Sequence, residues 1–164
     1  MSWRFILLCV LGLGALNACN KDDDDAEPQL PPAEQLAIDI KVIEDYLAAE
    51  GLSAEKTSSG LHYIIKEAGD GNHPSPTDSV EVKYTGYLTD KTLFDRTLPA
   101  QTVVFSLSRV IPGWTEGIPL LETGGGKGTL LLPSHLGYGN NPPQGSVIGR
   151  NEVLIFDVTL LSIK

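Results

Sequence analysis

The chain changes character along its length when read for apolar and polar positions. An uncharged apolar stretch runs from Phe5 to about Leu16. It falls short of the roughly 20 apolar residues needed to cross a bilayer. From Ala33 to Gly51 the apolar residues Leu36, Ile40, Ile43 and Leu47 recur at intervals of three and four, with Ala37 beside them. Asp39, Lys41, Glu44 and Asp45 fall between them, and the spacing predicts an amphipathic helix with these residues on its solvated side. Pro31 and Pro32 stand at its start, and Gly51 stands where a left-handed terminal residue belongs. The apolar stripe has to pack on something. Docking on the segment that follows is the expected outcome, and pairing with a second helix in a dimer is the alternative.

From Thr57 onward the period shortens to two. Leu61-His62-Tyr63-Ile64-Ile65 is rich in strand formers, and Val80-Glu81-Val82-Lys83-Tyr84 alternates strictly. Thr102–Leu107, Gly128–Leu132 and Val153–Ile163 are further strands, the last with Leu154, Phe156, Val158 and Leu160 on one face. Asp70-Gly71, Pro74-Ser75-Pro76 and Gly124-Gly125-Gly126 mark turns. Between them, Val110–Leu121 carries Pro112, Gly113 and then a short helical pattern through Trp114, Ile118 and Leu121. The sum is an α+β layout, an antiparallel sheet covered by one short helix and preceded by an N-terminal helix.

Composition narrows the chemistry. The formal net charge of −9 over 164 residues excludes a basic phosphate-binding surface, and with it nucleic acid as a partner. Both cysteines, Cys9 and Cys19, lie in the first twenty residues, so the domain carries neither a disulfide nor a thiolate metal site. His62, His73 and His135 are scattered and form no ligand pair. Gly124 to Gly128 places glycines around Lys127, but no Ser or Thr follows the lysine directly, so the segment reads as a turn rather than a phosphate loop.

The first residues resemble an export signal. Arg4 precedes the apolar run, and Leu16-Asn17-Ala18-Cys19 has the shape of a bacterial lipobox. That resemblance implies cleavage before Cys19 and its acylation, the alternative being a plain secretory signal. Asn20-Lys21 and the run Asp22 to Asp25 follow, then a Pro-rich stretch that reads as an extended tether. The expected address is the cell envelope of a Gram-negative bacterium. The chain would be anchored through Cys19 to a membrane, the outer one, on its periplasmic or surface side.

Five further segments occur in order: Val82 to Leu88, Leu93-Phe94-Asp95, Val110 to Gly117, Leu132 to Gly139, and Leu154 to Leu160. Together they resemble the successive signatures of FKBP-type peptidyl-prolyl cis-trans isomerases, over about Leu61 to Lys164. The resemblance implies a curled antiparallel sheet of about five strands wrapped on a short helix. It implies four parts: a leader over 1–18, a tether over 19–32, a helical linker over 33–56 and an isomerase domain over 57–164. It also implies a pocket with Trp114 as its floor and Tyr84, Phe94, Phe105 and Phe156 as aromatic walls. Val110, Ile111 and Ile148 complete the binding surface, and Tyr84, Asp95 and Tyr138 form the catalytic set. The N–H of Ile111 and the hydroxyl of Tyr138 would hold peptide carbonyls. Proline-containing polypeptides are the expected partners, with macrolides as further ligands, and no cofactor is called for. The alternative function is a proline-segment-binding chaperone or surface adhesin with little turnover. The chain departs from the family pattern in its loops, with Gly149-Arg150 where two prolines are usual, Pro142-Pro143 earlier, Arg96-Thr97-Leu98-Pro99 after Asp95, and Asp90-Lys91 in the preceding turn.

Overall fold

A computed structural model describes residues 29–164. The leader, Cys19 and the tether up to residue 28 lie outside the described residues. Helix α1 spans Pro32–Glu50. Proline suits its first turn because the missing N–H has no helical partner there, and the Pro31 carbonyl accepts from Glu34 and Gln35 at 2.9 and 3.0 Å. Gly51 ends the helix in the left-handed region at φ 66°, and the N–H of Leu52 reaches back to the Leu47 carbonyl at 2.9 Å.

The strands that follow are β1 (Glu55–Lys56), β2 (His62–Glu67), β3 (Ser79–Tyr87), β4 (Leu93–Arg96), β5 (Val103–Ser106), β6 (Gly126–Leu132) and β7 (Leu154–Ile163). Helix α2 spans Pro112–Gly117, between β5 and β6. The sheet is antiparallel in the order β1-β2-β6-β7-β3-β4, and β5 also pairs with β3. Seven strands stand where about five were expected. The difference lies in β4 and β5, which share one edge of β3: β4 pairs with Thr85–Tyr87 and β5 with Ser79–Val82. They act as one broken edge strand. The two-residue β1 adds a short edge beside β2.

Alternation decides what each face of the sheet does. Val80 and Val82 of β3, Leu130 and Leu132 of β6, and Leu154, Phe156, Val158 and Leu160 of β7 all belong to one buried cluster with Trp114, Ile118 and Leu121. On the opposite face, Leu131, Val153 and Ile155 receive Ile43 and Leu47 of α1. Leu36 and Ile40 also come close to the domain, against Gly60. The stripe is therefore docked on the sheet. Asp39, expected on the solvated side, is instead 2% exposed. It lies between Leu36 and Ile43 on the same helical face, and its carboxylate finds donors there.

Beyond the part covered by α1, this outer face turns polar around Asp157. Its carboxylate accepts from Lys66 and Thr129 at 2.6 Å each and from the Tyr87 hydroxyl at 3.1 Å. Burial raises the pKa of this carboxyl, but those bonds outweigh it and hold the group below its usual value of 3.8.

Helix α2 lies very close to β6, and glycine is the reason. A Cβ on Gly113 would stand 2.2 Å from Leu132, and one on Gly117 would stand 2.8 Å from Leu130. Overpacking of this kind costs about 1–3 kcal/mol. Gly113→Ala is expected to lose stability in that range, because backbone at Leu136 also closes its site. Gly117→Ala should lose less, since its obstacle is a side chain that can turn and alanine is the better helix former. Denaturant midpoints of the two variants, in that order below the wild type, check the packing.

His62 lies on β2 and is 4% exposed. Its Nδ1 is 2.9 Å from the Gly60 carbonyl, which can only accept, so the proton sits on Nδ1. Burial holds its pKa below 6.5, opposed by that bond, with Lys56 lowering and Glu44 raising it. Above 6.5 the imidazole is neutral in both states. As pH falls through 6.5 the unfolded chain takes up a proton that the folded chain refuses, so stability declines. Thermal melts should show this loss between neutral and mildly acidic pH, well above the range where Asp157 titrates, and His62→Gln should lack it.

Candidate active site

The polar ends of several elements converge over α2. Ile111 precedes the helix with extended backbone (φ −60°, ψ 147°), and its carbonyl accepts from Trp114 and Thr115. Among the described residues no acceptor takes the N–H of Ile111. Pro112 then starts a helix of only six residues. Trp114, on the first turn, is turned beneath the sheet and is 4% exposed.

Three aromatic rings stand nearly perpendicular to the Trp114 indole. Tyr84 of β3 lies 5.1 Å away at 89°, Phe105 of β5 5.4 Å at 86°, and Phe156 of β7 5.4 Å at 84°. Edge-to-face geometry places the positive rim of one ring against the negative face of another. The indole Nε1 is buried with no hydrogen-bond partner among the described residues. An unpaired buried donor costs about 1–3 kcal/mol, and three such ring pairs at about 0.5–1.5 kcal/mol each offset it. Phe94 of β4 extends the row, 5.4 Å from Phe156 at 82°. Gly86 makes room for that pair, since a Cβ there would stand 2.5 Å from Phe94 and 3.0 Å from Phe156.

Above the rings opens a cleft of about 380 Å³, within the usual range for a small-ligand site. Tyr84, Phe105, Trp114 and Phe156 line it from below and beside, Val110 and Ile111 from the start of α2, and Asp95 and Tyr138 from two loops or edges. Thus eight of the ten residues singled out from the sequence meet around one cavity. Phe94 and Ile148 do not line it. Phe94 stands edge-to-face with Phe156, and Ile148 is 7% exposed within the core. Arg109 lines the cleft and was not singled out. Its position directly before Val110 was the available signal.

The polar groups form a graded set. The Tyr84 hydroxyl donates to Asp95 Oδ2 at 2.5 Å, a charge-assisted bond, and Asp95 Oδ1 accepts from the Arg96 N–H at 2.8 Å. Burial first, then the bond to Asp95 and its charge, raise the Tyr84 pKa far above 10. Burial and the same carboxylate raise that of Tyr138. Both phenols therefore remain protonated donors through the physiological range. Tyr138 sits between Gly137 and Gly139, and the loop after it closes on itself through the Asn151 N–H to the Gly139 carbonyl at 2.8 Å. Among the described residues no group of histidines, cysteines and carboxylates is placed to hold a metal ion. The cleft offers an aromatic floor, phenolic hydrogen-bond donors, the Arg109 cation and one carboxylate, which is engaged by the Tyr84 hydroxyl. Such a site can bind, desolvate and bend a neutral polar group.

A family model described as "FKBP-type peptidyl-prolyl cis-trans isomerase" matches residues 71–161. An FKBP-type isomerase, FkpA, of Aeromonas hydrophila is 46% identical over 153 residues, covering 93% of this chain and 53% of that protein. "Outer membrane protein MIP" of Legionella longbeachae is 45% identical over 107 residues, covering 65% of this chain and 45% of that one. The chain thus spans about half the length of these relatives. Among solved structures, FkpA from Escherichia coli superposes with a TM-score of 0.68 at 37% identity, covering 80% of this chain and 60% of that one. A peptidyl-prolyl cis-trans isomerase from Pseudomonas syringae pv. tomato gives 0.68 at 27%, covering 84% and 99%.

Proposed function

Because the chain belongs to the family of FKBP-type peptidyl-prolyl cis-trans isomerases, we propose that its cleft accelerates rotation about X–Pro bonds in exported polypeptides. The observation that carries this reading is the aromatic floor of Trp114, enclosed by Tyr84, Phe105 and Phe156 at near-perpendicular angles. An amide rotates over a barrier of about 18–20 kcal/mol because resonance gives its C–N bond double-bond character. Uncatalysed prolyl exchange therefore takes about 10–100 s.

Resonance weakens when water leaves the carbonyl oxygen and when the bond is held twisted. The aromatic cavity does the first for a proline ring seated on Trp114. Complementarity to the twisted amide over either planar isomer does the second. Tyr138 and the N–H of Ile111 supply the donors that hold the flanking carbonyls, and Asp95 fixes the Tyr84 ring through its hydroxyl. Each tenfold in rate needs only about 1.4 kcal/mol of such preference, so no covalent step enters. Phe94 and Ile148 serve by supporting the walls, and a macrolide would occupy the same cleft in competition with peptide. On this reading the isomerase domain is 57–164, and 33–56 is a helical segment docked upon it.

A short X–Pro peptide tests the activity. The soluble fragment beginning near Ala26 is expected to speed its isomerisation, and Asp95→Ala and Tyr138→Phe should each lower kcat/KM by about tenfold, equivalent to one lost contact in the twisted state. A folded fragment without turnover would leave a proline-binding chaperone or adhesin module on the same fold.

The site of action is the cell envelope. Leu16-Asn17-Ala18-Cys19 supports a leader over 1–18 and acylation of Cys19, with 19–32 as the tether. The Legionella relative is itself named an outer membrane protein. A doubly or triply acylated residue holds stably to a bilayer, whereas a single chain does not. Fractionation of expressing cells should find the full chain in membranes and Cys19→Ala in the soluble fraction; an unchanged distribution counts against the anchor.

A further inference from the structure

Asp39 is a carboxylate of α1 that the described part of the molecule buries almost completely, at 2% exposure. Among the described residues no cation pairs with it. Three donors satisfy it instead. The Ser134 N–H and hydroxyl reach Oδ2 at 2.8 and 2.6 Å, and the Gln35 side-chain amide reaches Oδ1 at 2.7 Å. A buried charge is expensive, and an apolar residue would dock a helix at lower cost. What the carboxylate adds is direction, because it grips Ser134 by two atoms at once.

Ser134 in turn holds the segment that carries Tyr138. Its carbonyl accepts from the N–H groups of Gly137 and Gly139, both at 2.9 Å, so the residues on either side of Tyr138 are tied to it. The Tyr138 ring then lines the cleft. Asp39 lies outside residues 71–161, the part of the chain that the family model matches. We infer that Asp39 is a positioning residue for Tyr138, so that α1 completes the active-site loop from the far side of the sheet. This inference rests on the isomerase reading and on Tyr138 being a donor to the peptide.

A double-mutant cycle tests it. Asp39→Ala and Ser134→Ala are each made alone and together with Tyr138→Phe, and kcat/KM on a short X–Pro peptide is measured beside thermal melts. Residues acting through one another show coupling of about 0.5–3 kcal/mol. The expected result is a loss of about fivefold for Asp39→Ala when Tyr138 is present and under about twofold in the Tyr138→Phe background, within that coupling range. The lowering of Tm should be the same in both backgrounds, which is all that a merely structural role would produce. Equal fold-losses in the two backgrounds, or no loss from a folded Asp39→Ala protein, would overturn the inference while leaving the isomerase reading intact. Absence of turnover in the wild type would remove both. If Asp39→Ala does not fold, Ser134→Ala decides by the same comparison, since it keeps the backbone bond and deletes only the hydroxyl.

Discussion

Two glycines one turn apart let α2 lie against Leu130 and Leu132 of β6, and the cleft exists because of that closeness. With larger residues at 113 and 117 the helix would stand off the sheet. Trp114 would then rise out of the reach of Tyr84, Phe105 and Phe156, which come from three different strands. The short helix is held by these rings as much as by its own hydrogen bonds, of which six residues make few. Packing and binding surface are the same atoms here. The side chains that bury the helix on one side are the floor and walls on the other.

The proposed chemistry fits a site with few charged groups. Amide rotation needs no proton moved and no bond broken, only a medium and a shape. Asp95 is used to orient a phenol, and the phenols stay neutral because burial and that carboxylate both oppose their ionisation. Of the side chains that line the cleft only Asp95 and Arg109 carry charge, and the others are aromatic, aliphatic or phenolic.

Much of this was legible in the sequence, for reasons that vary by residue. The alternation in Val80–Tyr84 and Leu154–Leu160 follows directly from one buried and one outward face. Trp114, Phe156 and Tyr138 were legible only through the order of five short segments, since each aromatic alone is an ordinary core residue. The shared edge of β4 and β5 was not legible, because strand pairing is set by where a bent β3 points and not by local pattern. Asp39 was misplaced because a helical wheel sorts residues by polarity, while its burial depends on donors from a loop almost a hundred positions away. Arg109 was passed over although it directly precedes Val110, because a charged residue next to an aromatic motif reads as solvated until the fold turns it into the cleft.

The sheet order has a consequence in time. Strand β7 is the last of the described strands to be synthesised, yet it lies between β6 and β3 at the middle of the sheet. Until it arrives, β3 with β4 and β5 has no link to β2 and β6, and the cleft lacks Phe156. Pairings so distant along the chain also close slowly. A polypeptide that cannot complete its sheet until the final strand emerges remains an open thread meanwhile. The floor and two walls of the cleft are thus in place along the chain before the strand that supplies the third.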